Sequence, residues 1–146
     1  MNVNQPEENV VAGLYDNYHE TQKEILAIEI RKTRNKLITI ALVVFIFDMI
    51  ALLVSNAVLP ETILWISVIP VLILGLAFFA MKEPLASMII AAVIIVGLWV
   101  YSIVLTGGLA AISGWLSKAI IIYLLIAGFQ HAREATRIRK ELKGAI

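Results

Sequence analysis

Residues 37–59, LITIALVVFIFDMIALLVSNAVL, decide the fold. They form an unbroken apolar run with a single charged residue, Asp48, near the middle. A helix rises 1.5 Å per residue, so about 20 apolar residues cross a hydrocarbon core of roughly 30 Å. The run therefore reads as a membrane-spanning helix. A carboxylate at its midpoint is costly in lipid unless it faces protein or water, or gives up its charge.

The rest of the chain agrees with a membrane setting. Of 146 residues 60% are hydrophobic and only 16% charged, too few charges to cover a water-facing surface. Three further apolar runs follow at 62–81, 85–106 and 109–129, separated by the breaks Pro60-Glu61, Lys82-Glu83-Pro84 and Gly107-Gly108. Linkers this short make consecutive helices antiparallel neighbours. The expected fold is an all-α membrane protein, four transmembrane helices in an antiparallel bundle spanning 37–129, with cytoplasmic helical extensions at both ends.

Those extensions flank the spans. Residues 1–9 are polar and read as a flexible start; their acidic, apolar-poor character argues against a cleaved signal peptide. In 10–36, Val11, Leu14, Tyr18, Ile25 and Ile28 recur at helical spacing. No proline or glycine lies between Leu14 and Leu59, which lets this amphipathic helix run straight into the first span. In 130–146, a stripe through Phe129, Ala132, Ala135, Ile138 and Leu142 is matched by charges on the other face. The two stripes are expected to pack on each other outside the membrane.

Orientation follows from the basic residues. Of the 12 Lys and Arg, all but Lys118 lie in the two ends or in the Lys82 turn, so the positive-inside rule puts both termini in the cytoplasm. For a bacterial-type cell this is the plasma (inner) membrane. A net charge of +1 gives no reason to expect a nucleic-acid partner.

Asp48 and Lys118 are the two charges inside spans. Asp48 lies eleven residues past Leu37 and Lys118 eleven before Phe129, so both sit roughly 16 Å from the same boundary. Adjacent first and fourth helices would let them form a buried ion pair that fixes helix register more than it adds stability. Two other readings stand beside this one. Lys118 can snorkel to the outer interface, leaving a short fourth span. Asp48 can instead bind a proton or cation, with Ser55, Asn56, Ser113 and Ser117 as polar lining.

Pro70, in the middle of the second span, lacks the N–H for its i−4 bond and is a kink or hinge candidate. Gly75 and Gly97 are expected to mark helix crossings. Trp65, Tyr101 and Trp115 fall where an interfacial aromatic belt belongs, while Trp99 and Tyr123 read as deeper rings packed in the bundle.

Enzymatic chemistry finds little support. With no cysteine there is neither disulfide nor thiol chemistry. His19 and His131 read as surface residues, and neither His19 with Glu20 and Glu24 nor His131 with Glu134 has metal-ligand spacing. No metal or cofactor is expected. The function expected first is that of a non-enzymatic accessory, assembly or interaction subunit of a membrane complex. It would contact lipid and a protein partner or a second copy through its membrane helices. The alternative is a small homo-oligomeric ion or proton-coupled channel or carrier using Asp48.

Overall fold

The computed structural model describes residues 5–55, 59–105 and 114–144, with side chains from residue 17 onward. Four helices account for nearly all of it, and there is no strand among the described residues: α1 Gln5–Val54, α2 Pro60–Phe79, α3 Pro84–Leu105 and α4 Trp115–Gly144. Each is long and apolar enough to cross a membrane. Asn56, Ser113 and the Gly107-Gly108 break lie outside the described residues.

The helix boundaries have local causes. The 50 residues of α1 make one continuous rod of about 75 Å, more than twice the depth of a hydrocarbon core. Its first half therefore projects beyond the span, as the lack of breakers after Leu14 predicts. Pro60 opens α2 at the position where its missing N–H costs nothing, and Leu59 ahead of it is extended, at φ −103° and ψ 143°. Pro84 opens α3 in the same way. Gly114 has φ +64°, a left-handed conformation that glycine adopts without penalty, and α4 starts at the next residue. The apolar part of α4 before Gln130 is then shorter than the predicted fourth span.

Each helix packs on its neighbour in the chain, and the ring closes through α1 against α4, the most extensive contact of the four-helix bundle. The core gathers Leu37, Ile40 and Ala41 of α1, Ile73 and Ala77 of α2, Met88 and Ala91 of α3, and Leu124 and Ala132 of α4. Alanine at so many crossings lets the backbones come close. Gly128 brings α4 closest: a Cβ there would lie 2.5 Å from Met88 Cε and 3.5 Å from Lys36 Cβ. Gly75 and Gly97 do not mark crossings, since a Cβ at either would meet nothing within 4 Å.

Outside this core the helices carry exposed Leu, Ile, Val and Phe on their outer faces. Such surface is stable against lipid tails, not water. Trp65, Tyr101 and Trp115 are all exposed near helix ends, as a belt requires. Tyr123, expected to pack inward, is 68% exposed.

Candidate functional site

The inward face of α1 is a stripe at three- and four-residue steps: Glu29, Thr33, Leu37, Ile40 and Leu52 are buried along it, and Asp48 is half-buried on the same side. This stripe carries both acids that matter, one at each end of the bundle core.

Asp48 lies on a cavity of 230 Å³ to which all four helices contribute, including Val44 and Phe47 of α1, Ile69 of α2, Trp99 and Ser102 of α3, and Ser117 and Ile121 of α4. The core is filled on the side of Leu37 and Met88, and the cavity opens beyond Ile95 and Ile121, towards the α1 C-terminus. Four ion pairs join described residues: Glu29–Lys32, Glu29–His131, Arg137–Glu141 and Arg139–Glu83. Asp48 belongs to none of them.

Lys118 lies close to this cavity in sequence. Ser117 and Ile121 bracket it in sequence and flank Asp48 across the cavity. The face is different. Successive residues of a helix point about 100° apart, and it is Ser117, not Lys118, that lines the cavity. Lys118 sits half-buried in the first turn of α4 and is engaged in an interaction there. Ser55 is exposed and turns its hydroxyl back to the Leu52 carbonyl at 3.0 Å, away from the cavity. Ser117 likewise donates to the Gly114 carbonyl at 2.7 Å, which leaves its oxygen lone pairs available. Ser102 and Trp99 are cavity residues that the sequence reading missed; a tryptophan and a serine three apart on α3 are the only signal they gave.

Pro70 is buried against α1, and α2 stays helical through it. Beside it Ser67, Val71 and Leu74 form one wall of an apolar groove whose other wall is Ile38, Leu42 and Phe45 of α1. Ser67 satisfies its hydroxyl on the Ile63 carbonyl at 2.8 Å, so nothing polar is left unpaired there.

The projecting half of the α1–α4 contact differs from expectation. Ala132, Ala135 and Ile138 of α4 are buried as predicted, but Tyr18, Ile25 and Ile28 of α1 are 58%, 40% and 50% exposed. The seam on α1 instead runs through Leu26, Glu29 and Thr33, one residue around the helix from the apolar stripe. Val11 and Leu14, the start of that stripe, have side chains outside the described residues. Polar residues can hold a buried face when each has a partner. Thr33 Oγ1 donates to the Glu29 carbonyl at 3.0 Å, Lys32 Nζ to Glu29 Oε1 at 2.7 Å, and His131 Nδ1 lies 2.6 Å from Glu29 Oε2. An ionised carboxylate only accepts, so the Nδ1 nitrogen carries the proton. Burial alone would raise the pKa of Glu29; the hydrogen bonds from Lys32 and His131, and their charge, outweigh it and hold the carboxyl below its ordinary value. His131, its side chain 30% exposed, is thus a structural partner of α1.

Near the same end, Arg139 of α4 donates to the backbone carbonyls of Lys82 and, at 3.3 Å, Met81, with Glu83 Oε1 at 3.8 Å. These carbonyls follow the last turn of α2, where backbone acceptors lack helical donors. Arg139 therefore ties the α2–α3 turn to α4. No cluster of metal-ligating side chains exists among the described residues.

Comparison with protein-family models, curated proteins and solved structures finds no match to this chain.

Proposed function

We propose that this protein is an integral component of the plasma (inner) membrane, an antiparallel four-helix bundle with both termini cytoplasmic. In this reading it binds a small ion or solute at Asp48 and works as a small homo-oligomeric carrier or channel. The observation that carries it is Asp48 itself: a carboxylate at membrane depth, in none of the four ion pairs, on a cavity built by all four helices. An acid held there only for structure would be expected to have a fixed partner, because an uncompensated charge at that depth is costly. The orientation rests on the positive-inside rule applied to the eleven basic residues outside the apolar runs.

A second reading, a non-enzymatic accessory, assembly or interaction subunit, is favoured by a different feature. The groove between α1 and α2 beside Pro70 is apolar surface of the kind on which a helix of a partner or of a second copy packs.

Reconstitution into proteoliposomes separates the two. Under the first reading an imposed cation or proton gradient collapses faster with the protein than without it, and Asp48→Asn removes the difference. Equal rates for wild type, Asp48→Asn and empty vesicles refute the carrier reading. A membrane protein that co-purifies with the wild type and is lost on Leu42→Arg would then favour the interaction subunit. A stability cycle with Asp48→Asn and Lys118→Met addresses the pairing of those residues: additive losses are expected, and recovery in the double variant would restore the ion pair.

A further inference from the structure

We propose that the Asp48 cavity is a binding site for one compact organic cation, a quaternary or protonated amine. The inference rests on the reading of Asp48 as a ligand-binding group and adds the chemical class of the ligand.

Charge comes first. Among the described residues Asp48 is the one charged side chain lining the cavity, so that lining carries a single negative charge and one positive charge balances it. The donor set then decides which cation. Among the described residues its polar side chains are Asp48, Ser102 and Ser117, a carboxylate and two hydroxyls. A hard divalent ion takes about six to eight oxygens, more than these side chains supply. The remaining described lining is aliphatic except for two rings, Phe47 and Trp99. An alkylammonium suits that mixture. Its methylene or methyl groups need no oxygen ligands, its charge is attracted to the face of an indole or phenyl ring, and desolvation strengthens that attraction. Small metal ions gain less from such walls because their water shell must be replaced by oxygen.

Size sets the upper limit. Sites for drug-sized ligands run from about 300 to 1,000 Å³, and this cavity measures 230 Å³. A small amine fits that scale, whereas a long lipophilic one exceeds it. Position makes the site usable, since Asp48 lies six residues from the α1 C-terminus and is half-buried, not sealed in the packed part of the core.

The test uses the full chain in phosphatidylcholine nanodiscs, with Trp65→Phe and Trp115→Phe so that Trp99 is the sole indole. Trp65 and Trp115 are exposed and do not line the cavity. Tetramethylammonium is titrated against Trp99 emission, with sodium chloride and neutral tert-butanol as controls. The expected result is a saturable change with tetramethylammonium alone, weakened at least tenfold by Asp48→Asn. Ser117→Leu, which fills the cavity from α4, should weaken it as much and serves if Asp48→Asn does not fold. In the three-tryptophan background, calorimetric titration should show Trp99→Leu weakening binding several-fold more than Trp99→Phe, which keeps a ring. Saturable sodium binding without tetramethylammonium binding overturns the organic-cation assignment and leaves Asp48 as an ion site. Absence of both overturns the inference, and the proteoliposome flux then decides separately whether Asp48 carries protons.

Discussion

His131 Nδ1 stands 2.6 Å from Glu29 Oε2, joining α4 to α1 across 102 positions of the chain. Glu29 lies about 12 Å along the helix before Leu37, the first residue of the apolar run. The contact therefore belongs to the projecting part of the bundle, and it is a polar pin between α1 and α4 that the sequence analysis did not anticipate. Glu29 is fit for this because its second oxygen is held by Lys32 and its backbone carbonyl by Thr33.

Breaking the pair from either side should cost stability. Glu29→Ala and His131→Ala are each expected to lower the unfolding free energy of the solubilised protein by about 1–2 kcal/mol. The double variant should lose less than the sum, since the second substitution removes a group already orphaned. Thermal melts of the four proteins check this, and strict additivity would show that the pair is not coupled.

The same carboxylate sets an acid limit. Because the folded state holds Glu29 below its ordinary pKa, its contribution is complete above the unfolded value, about 4.3, and fades as pH falls through the lowered folded value. The melting difference between wild type and Glu29→Gln should shrink as the pH falls from roughly 5 to below roughly 4. A difference that instead grew on acidification would reverse the sign of the linkage.

Arg139 predicts a local effect. Arg139→Ala frees the Met81 and Lys82 carbonyls and loosens the α2–α3 turn. Trypsin cleavage after Lys82 in detergent should then speed up about tenfold, corresponding to about 1.4 kcal/mol of lost protection. Arg139→Lys should restore little, because one ammonium on a flexible stem does not reproduce the planar fork. Cleavage equal to wild type in Arg139→Ala would remove Arg139 as the tie.

Gly128 gives a packing prediction. Met88 is fully buried, and its thioether has to shift within the core when a Cβ appears 2.5 Å from Cε and 3.1 Å from the sulfur. Gly128→Ala should cost about 1–3 kcal/mol. In a Met88→Ala background, where the obstructing atoms are gone, the same substitution should cost clearly less. Equal cost in both backgrounds would mean that the α4 backbone, not Met88, resists the change.

Much of the architecture was legible along the chain, and the reason is general. The bilayer demands about 20 apolar residues per span and internally satisfied backbone groups, so length and composition alone reveal the four helices. Proline at 60 and 84 marks two helix starts just as directly. The closing of α1 against α4 was also within reach, because Ala132, Ala135 and Ile138 are a stripe that has to be buried.

Faces were harder. Ranking residues by apolarity put Ile25 and Ile28 in the α1–α4 seam, whereas Glu29 and Thr33 occupy it. One position shifts a helical face by about 100°, and burial of a polar residue depends on partners that can be 102 positions away. The same rotation separates Lys118 from Ser117. Helix counting placed both at the depth of Asp48, but only packing determines which side chain looks inward.

The sequence by itself determined that this chain makes four membrane-length helices and that, apart from Lys118, its basic residues lie outside the four apolar runs. These are properties of local composition, spacing and length. Only the tertiary structure decided that Asp48 faces a cavity shared with Trp99, Ser102 and Ser117, and that Glu29 is held by His131. Both depend on the rotation of each helix about its own axis, which packing sets through the summed fit of many side chains and no short stretch encodes.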